Sequence, residues 1–294
     1  MSDVLALPRP AGFASMTRDY LELSKSRIVM MVLITTAAGY FFAAPRVDWA
    51  LLLNALVGTA LVAAGTNALN QYVEREHDAK MRRTRLRPLP DGRISPRAAL
   101  FFSVSISIIG TLYLGVAVNW LTAGLGALTL LTYIFIYTPL KRVSTICTII
   151  GAVPGAIPPL MGWTAATGSL GTGGGIVFAI LFFWQLPHFM AISWMYREDY
   201  ARGGFAMLAV QDDEGRVTAR HAVFYSFALL TVSVLPPLFG LATYVYLVGA
   251  IAAGGALTVA SFFFLADRTP RSARRLFMAS NIYLIVAMLL LVLA

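Results

Sequence analysis

Polar and apolar positions along this chain separate into long blocks; they do not alternate with the short periods of a soluble sheet or a half-buried helix. Apolar stretches of roughly 20 residues, the length a helix needs to cross a bilayer, fall at 28–44, 50–70, 98–118, 121–138, 144–166, 175–195, 221–240, 243–265 and 276–294. The pattern predicts an all-α, polytopic membrane bundle of nine transmembrane helices. Prolines interrupt several of these blocks: Pro154, Pro158 and Pro159 in "GAVPGAIPPLMGW", Pro187 in "FWQLPHF", and Pro236 and Pro237 in "SVLPPLFG". Each removes a backbone donor and frees a carbonyl that lipid cannot satisfy, which suggests kinks around an internal cavity or, on the simpler reading, bends for packing.

Composition agrees, with 58% hydrophobic and only 13% charged residues among 294. If the nine spans alternate in direction, 22 of the 23 lysines and arginines fall on one side and only Arg46 on the other. Such a split follows the positive-inside rule, so the basic loops and the N-terminus are expected to be cytoplasmic and the C-terminus outside. The net charge of +9 is then accounted for by orientation and by the lipid bilayer's anionic headgroups, with no nucleic acid partner required. A single cysteine, Cys147, excludes a disulfide framework. Residues 1–27 lack an apolar core of the signal-peptide kind, so they are expected to be a cytoplasmic N-terminal segment preceding one transmembrane domain, 28–294.

The basic loops also carry acids. If the second helix continues inward past its apolar stretch, Asn70, Glu74 and Asp78 recur every four residues and form a stripe on one face, drifting by about 40° per step. Carboxylates so placed repel one another and need a cation. Oxygen ligands without Cys or paired His favour a partly hydrated Mg²⁺ that shares its coordination with substrate phosphate. Lys80, Arg82, Arg83, Arg85 and Arg87 follow directly, and guanidinium forks suit a diphosphate. A second acidic cluster, Glu198 and Asp199 in "WMYREDYARGGFAML", ends the sixth span, and Lys141 and Arg142 in "YTPLKR" end the fourth, all on the same side. A purely structural reading competes, in which these are solvated helix ends and membrane anchors. His188, inside the sixth span, is either hydrogen-bonded within the bundle or a ligand. Tyr133, Tyr137, Trp163, Trp184 and Trp194 are candidates to line an apolar cavity or simply to pack.

Together "NALNQYVEREHDAKMRRTRLRPLPDGRI", "YTPLKR", "IGAVPGAIPPLMGW", "FWQLPHF" and "EDYARGGFAML" resemble, in matching order from about residue 25 to about 280, the UbiA-type intramembrane prenyltransferases. Within them the likeness is to the haem-modifying branch, the protohaem IX farnesyltransferase (haem O synthase) family. The superfamily's first acidic motif, usually NDxxDxxxD, reads here as Asn70, Gln71, Glu74 and Asp78. The second keeps Asp199 but has Gly203 where many relatives carry Asp, which puts its metal ligation in question.

The resemblance implies transfer of a farnesyl group from farnesyl diphosphate to a vinyl group of haem B. Asn70, Glu74, Asp78 and Asp199 would hold Mg²⁺ and diphosphate. Lys141, Arg142, Arg83 and Arg87, with Arg82 a weaker candidate, would contact phosphate directly, Lys141 counting among the catalytic residues. His188 would face the haem as axial ligand or propionate neighbour. It also implies a partner enzyme that converts haem O to haem A. Asp19 and Glu22 in the leader point to a bacterial cell inner membrane over a mitochondrial one, since transit peptides are acid-poor. Three other readings share some of these features: a quinone-precursor prenyltransferase of the same fold, a secondary transporter, and a haem chaperone that catalyses nothing.

Overall fold

The computed structural model describes residues 13–293. Among them nine helices are long and apolar enough to cross a membrane. A short amphipathic helix, α1 (Phe13–Leu23), precedes the first span, α2 (Ser26–Ala43). Next come α3 (Trp49–Asp78) and α4 (Pro96–Ala117). The fourth span is composite: α5 (Trp120–Leu131), a π-helical stretch (Thr132–Tyr137) and α6 (Thr138–Leu140). α7 (Cys147–Thr167) and α8 (Gly171–Met195) lead into two short helices, α9 (Arg197–Arg202) and α10 (Leu208–Gln211). α11 (Arg216–Ser233) continues through α12 (Leu235–Leu238) as one span, and α13 (Tyr244–Asp267) and α14 (Pro270–Val292) complete the order. Residues 1–12 of the expected N-terminal segment, and Ala294, lie outside the described residues.

Local chemistry sets several helix starts. Asp48, Ser95, Asn119 and Thr269 each accept a hydrogen bond from a first-turn amide, and Pro96 and Pro270 occupy first positions where no donor is needed. In sequence order, neighbouring spans pack side by side until α14 meets α2 and closes the ring. α7 sits most deeply, with about two-thirds of its apolar window buried, and its three prolines are accommodated within one helix. Pro236 and Pro237 instead mark the break between α11 and α12. Outward-facing side chains such as Phe101, Phe135, Val245, Phe263 and Leu289 are exposed and apolar, as a lipid-facing surface requires.

Close approach of α2 to α7 depends on two glycines. A Cβ on Gly162 would lie 1.8 Å from the Thr36 carbonyl oxygen, and one on Gly39 would lie 2.0 Å from that of Pro159. Without a solvent-driven hydrophobic force, helices in lipid associate through such small-residue contacts. α7 is thereby held against α2 in the half of the bundle away from the charged loops.

The end that carries those loops is ordered. Segment 79–95 folds into consecutive turns through bonds such as Thr84 N–H to Met81 O, Arg87 N–H to Thr84 O and Ile94 N–H to Pro88 O. Leu89 and Ile94 are buried with Leu23, Ala68 and Ala99, fixing the segment against α1, α3 and α4. On its other flank Met81 packs with Phe205, Met207 and Cys147. The arginine-bearing loop is therefore clamped between the two halves of the ring.

Candidate active site

α3 runs unbroken to Asp78, about two turns beyond the apolar stretch that ends near residue 70. Its helical repeat places Asn70, Glu74 and Asp78 on one face, where they are 1%, 4% and 1% exposed. Burying two carboxylates demands compensation, and each member of the stripe receives a different cation. Arg87 Nη1 donates to Asp78 Oδ2 at 2.7 Å, Lys141 Nζ to Glu74 Oε1 at 2.8 Å, and Lys25 Nζ to Asn70 Oδ1 at 3.1 Å. The three donors come from the arginine loop, the end of the fourth span and the joint between α1 and α2.

Lys25 is the residue that sequence reasoning missed. It lies at the α1–α2 joint in a left-handed conformation, φ 51° and ψ 56°, which a side chain with a Cβ adopts only when its surroundings hold it there. Burial, and then the like charge of Arg87, push its ammonium down to about 7. In sequence it reads as one more basic residue at the head of a span, so nothing marked it out.

Asn70 is fixed from both ends, because its Nδ2 donates to Thr138 Oγ1 at 3.1 Å and that hydroxyl donates to Tyr133 O at 2.8 Å. The backbone N–H of Thr138 bonds the same carbonyl and closes the π-helical stretch, a widening often found at functional sites. The same stretch sets Tyr133 and Tyr137 edge to face, ring centres 4.9 Å apart, with Lys141 Nζ 4.6 Å from the centre of Tyr137. Burial pulls the Lys141 ammonium down, but the Glu74 carboxylate and the two tyrosines outweigh it and hold it well above the ordinary lysine range.

Other expected residues are distributed around this centre. Asp199, at the start of α9, accepts from Arg202 and, at 3.1 Å, from the backbone N–H of Arg82. Burial raises its carboxyl, but those bonds and the nearby Arg83 hold it below the usual carboxylate range. It thus fastens the arginine loop to α9, and its hydrogen bonds run to that loop and to Arg202, not to the α3 stripe. Arg82 meets it through the main chain. Arg83 stacks over Tyr196 and Tyr200, 4.9 and 5.8 Å from their centres, and Arg142 donates to Val73 O at 3.3 Å.

Two of the three departures from the superfamily motifs, Gln71 and Gly203, have local causes. Gln71 Nε2 donates to Glu22 O and Leu23 O, at 3.1 and 2.7 Å, docking the carbonyl end of α1 in a way that an Asp, lacking a donor, could not. At Gly203 a Cβ would meet the Phe205 ring at 3.0 Å, while the Gly203 carbonyl accepts from His77 Nδ1 at 2.7 Å.

His188 lies between Trp184 and Phe277, with ring centres 4.9 Å away on each side. Ser280 Oγ donates to Phe277 O, so in its 2.8 Å contact with His188 Nδ1 the imidazole is the donor. The lone pair therefore resides on Nε2. Of the five aromatics expected around a cavity, Tyr133 and Tyr137 adjoin the charged centre. Trp163 packs on Gly173 and Gly174, and the indoles of Trp184 and Trp194 bond main-chain oxygens of Ser280 and Arg268.

Among the described residues no three His, Cys, Asp or Glu side chains gather closely enough to cage a metal by themselves. The site nevertheless fits a partly hydrated divalent cation. Asp78 Oδ1 is buried without a hydrogen-bond partner, a free carboxylate oxygen of the kind a hard cation takes, and such an ion needs only one or two carboxylates when substrate oxygens complete its shell.

The chain is similar to known proteins over most of its length. Residues 32–285 match the model of the UbiA prenyltransferase family. A protein of Solibacter usitatus named protoheme IX farnesyltransferase is 47% identical over 277 residues, covering 91% of this chain and 95% of that one. The human mitochondrial protein of the same name is 42% identical, covering 92% of this chain and 60% of its own length. Among solved structures, a UbiA homologue from Archaeoglobus fulgidus bound to DMAPP and Mg²⁺ superposes with a TM-score of 0.68 at 14% identity, over 93% of this chain and 99% of that one. One from work on digeranylgeranylglyceryl phosphate synthase in membranes reaches 0.78 at 18%, over 94% and 97%.

Proposed function

This chain belongs to the UbiA prenyltransferase family, and from that premise we propose that it transfers the farnesyl group of farnesyl diphosphate to a vinyl group of haem B, giving haem O and diphosphate. The observation that carries the reading is the stripe of Asn70, Glu74 and Asp78, met by Lys25, Lys141 and Arg87 from three separate segments. A site that mixes buried carboxylates with converging cations suits a ligand made of a metal and a polyanion.

In this reaction the C1–O bond of the prenyl diphosphate breaks and its electron pair leaves with diphosphate. The vinyl π electrons form the new carbon–carbon bond at C1, and water adds to the resulting cation and loses a proton. Lys141, Arg87 and Lys25 bind the phosphate oxygens and stabilise the charge that grows on them, with Arg83, Arg142 and Arg82 contributing from the loop rim. Asp78 and Glu74 would hold Mg²⁺, assisted by Asn70, with Asp199 acting from the second acidic motif. When bound, that ion would neutralise charge on the leaving group. Tyr133 and Tyr137, next to Lys141, would shield the ionising C1 from water. No side chain has to act as a nucleophile.

His188 is assigned to haem, and its free Nε2 favours axial ligation of the iron over contact with a propionate, which would need a donor there. The basic face is assigned to the cytoplasm of a bacterium, the bundle to its inner membrane as a single domain from residue 28 onward, and the product to a partner enzyme that converts haem O to haem A. The test is direct: purified protein in detergent with haem B, farnesyl diphosphate and Mg²⁺, assayed by mass spectrometry. Farnesylated haem bearing the added hydroxyl is expected; prenyl diphosphate consumed with haem unchanged would overturn the assignment.

A further inference from the structure

Outside the charged centre, a single side chain joins two of the segments that feed it. Arg93 uses every nitrogen of its guanidinium. Nε donates to Asp91 Oδ2 at 2.9 Å, Nη1 to Asp19, and Nη2 both to Glu22 Oε2 at 3.1 Å and to Leu86 O at 2.7 Å. Asp19 and Glu22 belong to α1, while Asp91 and Leu86 belong to the arginine loop. A planar fork with donors in fixed directions can satisfy four acceptors on two segments at once, which the point charge of a lysine cannot.

Each end of this link stands next to a cation of the site. Leu86 immediately precedes Arg87, whose guanidinium holds Asp78. Glu22 precedes Leu23, and two residues further on Lys25 is held in its left-handed conformation with its ammonium on Asn70. Beneath the guanidinium, Leu23 is buried against Leu89 and Ile94, so α1 and the loop touch through apolar atoms as well.

We propose that Arg93 is a positioning residue for the prenyl diphosphate: by tying α1 to the arginine loop it places Lys25 and Arg87 together on the anion. The proposal rests on the diphosphate reading of the site given above. It assigns Arg93 no contact with substrate, so its effect must pass through the cations it positions, and it leaves the haem side untouched.

The test uses the full-length protein in detergent, with KM for farnesyl diphosphate, KM for haem B and kcat measured separately, for Arg93→Gln, Lys25→Met and the double variant. Each single change is expected to raise KM for farnesyl diphosphate roughly tenfold, the scale of one lost charge-assisted contact, with KM for haem within about twofold. The double variant should fall well short of the hundredfold product, because Arg93 acts in part through Lys25. Arg93→Lys should not restore the wild-type value. If Arg93→Gln yields no folded protein, the paired change Asp19→Asn with Glu22→Gln severs the α1 side alone and should raise the same KM. Effects that multiply fully, or an equal rise in the haem KM, would overturn the proposal while leaving the diphosphate reading intact. An unchanged KM for farnesyl diphosphate in Lys25→Met would remove Lys25 from the diphosphate site and the proposal with it.

Discussion

Replacing Lys141 with methionine separates what the buried ion pair does for the fold from what it does for the reaction. Lys141 and Glu74 are 12% and 5% exposed at the side chain and 2.8 Å apart, so removing the ammonium strands a carboxylate in a poorly solvated place. Breaking a buried pair from one side typically costs about 3–5 kcal/mol, whereas replacing both members with apolar or neutral groups of similar size is often close to neutral. Lys141→Met should therefore lower the unfolding midpoint by roughly 6–15 °C, taking about 2–3 °C per kcal/mol for a chain of this size. Lys141→Met combined with Glu74→Gln should return to within a few degrees of the parent. Turnover should behave differently: a lost stabiliser of the leaving group costs about 10²–10³ in rate, and the double variant should be no more active than the single. Tryptophan fluorescence during heating and mass spectrometry of haem products measure the two properties on the same sample. A double variant as unstable as the single would show that the ammonium does not compensate Glu74. Recovery of turnover in the double variant would show that neither group acts on the diphosphate.

Four further outcomes are expected. Asp78→Ala should abolish farnesylated haem while the protein stays monodisperse in detergent; near-normal turnover would remove the stripe from the chemistry. His188→Ala should weaken haem binding in a Soret titration and leave farnesyl diphosphate binding unchanged, and equal loss of both would count against a haem ligand there. Gln71→Leu strips two α1 carbonyls of their donor at about 1–3 kcal/mol each, so amide exchange near residues 18–24 should accelerate while the spans stay protected. Gly162→Ala, which drives a methyl into the Thr36 carbonyl, should give little folded protein, whereas Gly124→Ala, with open space around its Cβ position, should be silent.

Nine spans were legible because lipid imposes one simple demand, a long apolar stretch, and the loops on the basic side fell where charge returned. Helix starts were less legible. α11 begins at Arg216 and α14 at Pro270, before the apolar stretches that betray them, since caps and solvated first turns carry no hydropathy. α1 is too short and too polar to register as a span, and it shows itself only by what it docks against. In the site, the spacing of Asn70, Glu74 and Asp78 fixed their common face, because a helix repeat is a local property. Which cation meets which acid is not local: Lys25, Arg87 and Lys141 are brought together by α1, the loop and the fourth span, and a backbone φ of 51° at a lysine has no signature in composition. Asp199 was expected to face the same cavity as the stripe, and its tie to the Arg82 amide depends on a loop path that spacing does not encode. Of the aromatic residues, sequence could not separate the tyrosines beside Lys141 from tryptophans that merely bond a neighbouring main chain.

The pairing of each stripe residue with a cation of its own has a consequence for what the site accepts. A lone phosphate that draws Lys141 or Arg87 away leaves bare carboxylates behind, and a lone divalent ion that seizes the carboxylates leaves bare ammonium and guanidinium groups crowding it. Either visitor must undo a contact without replacing it. A guest carrying both signs trades partners one for one, so the arrangement favours a cation that arrives together with its polyanion over either ion alone.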